Sequence, residues 1–213
     1  MPEVKICGVC RAEDAALAVA AGADYVGVVL SSGTPRARSL RQAVAIYAAA
    51  SGLRRAGVFV NAAFEELCEA ADRLRLDVLQ LHGSEPPELV EAVRKAGPWS
   101  VWKAVRPRGR AEFLAALDMY HGAADAVLVD GFSARAPGGA GVRFRWELVA
   151  RARSHVPAGL RFVIAGGLTP LNVGEAVRRL QPDVVDVSSG VEARVGEKSA
   201  ELVHAFVAAA RVA

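Results

Sequence analysis

The feature that most constrains this chain is a rhythm of short apolar runs, each followed by a helical stretch. The runs are VKIC (4–7), YVGVVL (25–30), AGVFV (56–60), VLQLH (78–82), VWKAV (101–105), AVLVD (126–130), RFVIAG (161–166) and VVDVSS (184–189). They are nearly continuous in apolar residues and rich in β-branched ones, as expected of parallel strands covered on their outer face. Between them lie alanine-rich segments at Ala15–Ala21, Glu65–Arg73, Pro87–Lys95, Ala111–Leu117 and Asn172–Leu180, with a last helix over Ser199–Val212. Glu13 and Asp14 suit a helix start and Gly22 a helix end. Eight such units in 213 residues predict an α/β fold, a (β/α)8 barrel of the TIM type spanning residues 1–213 as a single domain. A doubly wound sheet is the alternative, but the turn after the first run reads CGVCRAED and lacks G-x-G-x-x-G.

Composition limits the function classes. The net charge of +3 is mild, the arginines are scattered and aromatics make up 6%, so no nucleic-acid surface is predicted. The apolar runs are interrupted well short of the ~20 residues that a membrane helix needs, so no membrane partner is expected. The start, MPEVKICG, has no charged segment leading into an apolar one. Three cysteines make no disulfide framework. The expectation is a reduced, cytoplasmic protein that binds a small phosphorylated substrate, as a monomer or homodimer.

In a barrel the active site lies at the C-terminal strand ends. Those ends here carry Cys7, His82, Asp130, Gly166-Gly167 and Ser188-Ser189-Gly190. The glycines of AGGL (165–168) and the SSGVE stretch (188–192) let backbone N–H groups approach an anion, which predicts a phosphate site at Gly166, Gly167, Ser189 and Gly190. Asp130 precedes a loop containing GGAG (138–141). It reads either as a turn cap or as a general acid whose pKa is raised by partial burial. Cys7 reads either as a small buried hydrophobe or as a base whose thiolate a positive environment favours. His82 shares a strand face with Gln80 and is either structural or in contact with a ligand. Arg36 is either a surface arginine or a fork for a carboxylate. Lys5 shares the face of Cys7, and Asp186 that of Ser188. Since the last strand closes the barrel against the first, a Lys5–Asp186 pair inside the barrel is expected. Cys7 and Cys10 form a C-x-x-C, but no second pair exists to complete a zinc set. Cys10 is expected to be a replaceable residue of the turn before the first helix.

Taken together, VKICG, GAD-x-VG, TPR, GVFVN, LQLHG, LVD, GG-x-G, AGGL-x-P-x-NV and VDVSSGVE-x-x-x-G-x-K resemble the phosphoribosylanthranilate isomerases, from Val4 to about Phe206. The resemblance implies a (β/α)8 barrel with no cofactor and no metal. It implies an Amadori rearrangement of N-(5-phosphoribosyl)anthranilate to 1-(2-carboxyphenylamino)-1-deoxyribulose 5-phosphate, a step of tryptophan biosynthesis. Carried onto this sequence, Cys7 matches the general base, Asp130 the general acid, Arg36 the residue that meets the anthranilate carboxylate, and the glycines of AGGL and SSGVE the phosphate site. Phe144-Arg145-Trp146 departs from the family's F-D-W, and Lys198-Ser199 from its Lys-Asp. The rivals are a sugar-phosphate isomerase of the histidine-pathway type, for which an aspartate is expected in place of Cys7, and a non-catalytic barrel that only binds a phosphorylated ligand.

Overall fold

A computed structural model describes residues 1–131 and 152–213. Eight strands close into a barrel in chain order: β1 Glu3–Ile6, β2 Tyr25–Val29, β3 Arg54–Phe59, β4 Val78–Leu81, β5 Ser100–Val105, β6 Ala126–Val129, β7 Arg161–Ile164 and β8 Val184–Val187. All neighbours are parallel, and β1 pairs with both β2 and β8, which closes the ring and excludes the doubly wound sheet. The helices are α1 Ala12–Ala20, α2 Leu40–Ala48, α3 Phe64–Leu74, α4 Pro87–Ala96, α5 Arg110–Tyr120, α6 Val173–Leu180 and α7 Ala200–Arg211. Gly22 follows the end of α1 at φ 76°, in the left-handed region that glycine enters without strain. The GGAG loop and Phe144–Trp146 lie outside the described residues.

Two elements were not anticipated. One is α2, whose apolar positions Ala43, Ile46 and Tyr47 are buried. Ser39 and Gln42 form a reciprocal capping box at its start, Ser39 Oγ accepting from Gln42 N and Gln42 Oε1 from Ser39 N at 2.9 Å. The S-x-x-Q spacing at 39–42 is the signal that marks it. The other is a small antiparallel hairpin after β8, with strands β9 Glu192–Arg194 and β10 Glu197–Lys198.

The strands are apolar almost throughout because both of their faces are covered. Outward residues such as Ile6, Val26, Leu79, Leu81, Val127 and Phe162 pack under the helices. Inward residues form a separate cluster that includes Tyr25, Ala56, Val78, Trp102, Leu128, Val163 and Val184. Each large apolar side chain fully withdrawn from water contributes about 1.5–3 kcal/mol. Tyr25 and Trp102 meet edge to face inside the barrel, with centroids 5.1 Å apart. At the N-terminal end of the barrel Glu3 receives Arg54, Arg161 and the Tyr25 hydroxyl, a polar floor that seals the apolar layer. The inward register places Cys7, His82 and Asp130 at the opposite, C-terminal end of the strands.

Candidate active site

Alternation along the strands decides which side chains reach that end. Lys5 and Asp186 are register partners on β1 and β8, and both point inward. Their contact is 3.1 Å, so the expected pair is present. One residue beyond β1, Cys7 donates its backbone N–H to Val187 O, and it is 7% exposed. Gly27 leaves the space that this thiol occupies: a Cβ there would lie 2.9 Å from Cys7 Sγ and 3.0 Å from Lys5 Cε.

His82 follows β4, and Asp130 follows β6. Although β5 separates their strands, His82 Nε2 approaches Asp130 Oδ2 at 3.3 Å, and Arg106 Nε reaches the same oxygen at 3.2 Å. On its other side His82 Nδ1 meets Gln80 Nε2 at 2.9 Å. The sequence reading placed Gln80 on the face of His82 but gave it no part, and it did not single out Arg106.

The loop carrying His82 is held from below. Glu85 is buried and accepts from the backbone N–H groups of Asn61 and Gly83, and its carboxylate lies 3.0 Å from Lys103 Nζ. Lys103 also donates to Gly83 O at 2.8 Å. Neither residue was marked by any sequence motif.

Arg36 lies in the loop after β2, where its side chain is 11% exposed, so it is not a surface arginine. Its Nε and Nη2 engage both carboxylate oxygens of Glu192. Lys198, a buried residue of β10, approaches Glu192 Oε1 at 3.1 Å and donates to Ser188 O at 2.9 Å. The hairpin after β8 thus braces the arginine. Gly8, at φ 64°, has no room for a side chain beside Arg36 Cδ and Ser188 Oγ.

The two glycine loops meet. Ser189–Val191 forms a 3-10 turn, and a Cβ on Gly190 would sit 1.8 Å from Leu168 O. Gly166 and Gly167 have φ of 81° and 68°, and a Cβ on Gly166 would lie 2.1 Å from the backbone N of Gly131. Asn172 ties the first loop together, accepting from Thr169 N and donating to Gly167 O.

Neighbours decide the charge states at both reactive positions. Burial raises Asp130, as anticipated, but hydrogen bonds from His82 and Arg106 and the charge of Arg106 outweigh it and hold the carboxyl below its ordinary value. For Cys7, burial and the Asp186 carboxylate push the thiol up, and the ammonium of Lys5 opposes them without winning. The unliganded site therefore favours an Asp130 carboxylate and a Cys7 thiol. Cys10, in the turn before α1, is buried, with Sγ 3.4 Å from Gly8 O and 3.7 Å from Arg36 O. All three cysteines are free thiols, and among the described residues no group of three or more His, Cys, Asp or Glu could hold a metal ion.

A barrel with a cysteine, an aspartate, a braced arginine and two glycine loops around one mouth can be compared with known proteins. The sequence model of the family described as N-(5'-phosphoribosyl)anthranilate (PRA) isomerase matches residues 4–209. The chain belongs to the phosphoribosylanthranilate isomerase family. A relative of that name from Rubrobacter xylanophilus is 43% identical over 212 residues, covering 99% of this chain and 100% of that protein. The relative from Geobacter sulfurreducens is 41% identical over 213 residues, with 99% of each covered. Among solved structures, the Thermotoga maritima phosphoribosyl anthranilate isomerase superposes with a TM-score of 0.89 at 34% identity over 100% of both chains. A further isomerase of the family, described in complex with reduced 1-(o-carboxyphenylamino)-1-deoxyribulose 5-phosphate, gives 0.86 at 33% identity, again over 100% of both chains. No helix among the described residues is long and apolar enough to cross a membrane.

Proposed function

We propose that this chain converts N-(5-phosphoribosyl)anthranilate to 1-(2-carboxyphenylamino)-1-deoxyribulose 5-phosphate with Cys7 as general base and Asp130 as general acid. As a member of its family the chain is an isomerase of tryptophan biosynthesis. The observation that carries the residue roles is geometric. A thiol and a carboxyl group stand at the ends of β1 and β6 with β7 and β8 between them, and each is fixed by partners that leave it at the barrel mouth.

The reaction needs one acid and one base. Asp130 protonates the furanose ring oxygen, the C1–O bond breaks, and the nitrogen lone pair forms a cationic C1=N Schiff base. Cys7 thiolate removes the proton from C2, and the C–H electrons become the C1=C2 bond of an enolamine. Loss of the C2 hydroxyl proton and protonation of C1 give the ketone. Two protons are taken up and two released, so an isomerisation with no net loss results.

The resting charges suit this sequence once substrate arrives. A phosphate and a carboxylate brought into the mouth add negative charge, which raises the pKa of Asp130 and favours its acid form. The Schiff-base cation then lies next to the thiol and favours thiolate as the C2 proton becomes acidic. Arg36, braced by Glu192, retains Nη1 for the anthranilate carboxylate, and His82 contacts the bound sugar beside Asp130. Gly166, Gly167, Ser189 and Gly190 hold the phosphate on their backbone N–H groups. The chain acts in the cytoplasm as a monomer or homodimer; the related Thermotoga maritima isomerase is described as dimeric, with monomers generated from it.

Turnover of phosphoribosylanthranilate by the purified chain, followed by fluorescence, tests the reading. Catalysis is expected. Tight binding of the product with no turnover would leave a non-catalytic barrel in its place, and turnover only of the histidine-pathway substrate would make it the sister isomerase.

A further inference from the structure

Lys5 is fully buried among apolar strands, where an ammonium is costly unless each of its protons has an acceptor. It has three donors and no acceptor site. All three are used: Nζ lies 2.7 Å from Gln80 Oε1, 3.1 Å from Asp186 Oδ1 and 3.1 Å from Cys7 Sγ. The contact to Gln80 fixes the amide, because an ammonium can face only its oxygen. The amide nitrogen must then donate to His82 Nδ1. That leaves the histidine proton on Nε2, the atom turned toward Asp130. A continuous hydrogen-bonded line thus runs Cys7–Lys5–Gln80–His82–Asp130 through the barrel, joining groups on β1, β4 and β6.

We propose that Lys5 is a positioning residue for the base, holding Cys7 in place and supporting its thiolate, and that Gln80 and His82 link this support to Asp130. The inference rests on the assignment of Cys7 and Asp130 made above. Gln80 cannot readily carry a proton through its amide, so the line is an electrostatic and positional link, and Cys7 and Asp130 exchange their protons with substrate and solvent. The charged groups facing Cys7 are Lys5 on its own strand, Asp186 on β8, and Lys198 on β10. Asp130 faces His82 and Arg106, and it also acts on Asp186. Of these, Lys5 alone donates a hydrogen bond to the sulfur among the described residues.

The test reads the thiol directly. In a Cys10→Ser/Cys68→Ser background Cys7 is the remaining thiol of the three, and the pH midpoint of its alkylation by iodoacetamide follows its ionisation. Lys5→Met is expected to move that midpoint up by about one pH unit or more, and Asp186→Asn to move it down, since opposite and like charges within ~4–6 Å act in those senses. A purely structural role predicts loss of melting temperature without opposed shifts. Lys5→Gln serves where Lys5→Met does not fold, since it removes the charge and keeps a polar side chain, and an unchanged midpoint in it overturns the proposal. An unchanged or raised midpoint in Asp186→Asn overturns the proposal. Gln80→Met is expected to lower kcat about tenfold, the worth of one buried hydrogen bond, with little change in KM; unaltered kcat removes the link to His82. Cys7→Ser separates this inference from the one beneath it. If that variant turns over normally, the base assignment itself falls. If it is inactive while the midpoints stay fixed, only the role of Lys5 falls.

Discussion

Arg36 presents Nε to Glu192 Oε1 at 2.8 Å and Nη2 to Oε2 at 2.7 Å, a two-pronged bond between the loop after β2 and the hairpin after β8. Planar forks of this kind fix orientation as well as distance. Burial would raise Glu192, but Arg36 and Lys198 hold it below the ordinary carboxylate value, so it stays ionised at neutral pH. Glu192→Gln removes one prong's charge and loosens the arginine. KM for phosphoribosylanthranilate is expected to rise about tenfold while kcat changes less, the pattern of lost binding rather than lost chemistry. Steady-state kinetics check this, and an unchanged KM would show that Arg36 needs no brace.

The two cysteines of C-x-x-C make a second comparison. Cys10 Sγ lies against the carbonyl oxygens of Gly8 and Arg36, and a serine hydroxyl can donate to the same atoms. Cys10→Ser is expected to keep more than about half of the activity, whereas Cys7→Ser loses the base. Equal loss in both would mean that the pair acts as a unit.

Stability against pH follows from the loop that carries His82. Glu85 is buried, which raises its pKa, but the Asn61 N–H and Lys103 more than reverse this and lower it. A lowered folded pKa contributes stability that is complete above the unfolded value of about 4.3 and is lost as pH falls through the folded value. Glu85→Gln leaves Lys103 buried without its ion partner and is expected to cost about 3–5 kcal/mol near neutrality. Urea titrations of both proteins should show that gap closing below about pH 4; a gap independent of pH would contradict the charge account.

How far the sequence could be read depends on the range of each interaction. The eight strands were legible because apolar runs and their spacing are local, and the Lys5–Asp186 pair because strand alternation and barrel closure determine it. The start of α2 is marked only by Ser39 and Gln42, because the apolar run that should precede it is interrupted by the loop after β2. His82 and Asp130 could be named singly, whereas their contact spans β4 to β6 and depends on barrel curvature. The same is true of Arg36 and Glu192, which are 156 residues apart. The charge states of Cys7 and Asp130 stayed open in the sequence because they follow from burial and from Asp186, His82 and Arg106, neighbours that only the closed barrel supplies. The buried Glu85–Lys103 pair carries no motif at all.

The contact between the two glycine loops is a further point of leverage. Gly190 has no space for a methyl group, since Leu168 O would lie 1.8 Å from it. Gly190→Ala must therefore separate the loops at a cost of about 1–3 kcal/mol. KM for the phosphorylated substrate is expected to rise at least tenfold, with inorganic phosphate becoming a correspondingly weaker inhibitor. Unchanged phosphate inhibition would remove these loops from the binding site.

The central claim is that one thiol and one carboxyl group perform the rearrangement. Single-turnover fluorescence of phosphoribosylanthranilate with Cys7→Ser and with Asp130→Asn, paired with product-affinity measurements on the same proteins, tests it most directly. Each variant is expected to lose about two to four orders of magnitude in rate while binding product nearly as the parent does. Near-normal turnover in either variant would contradict the account.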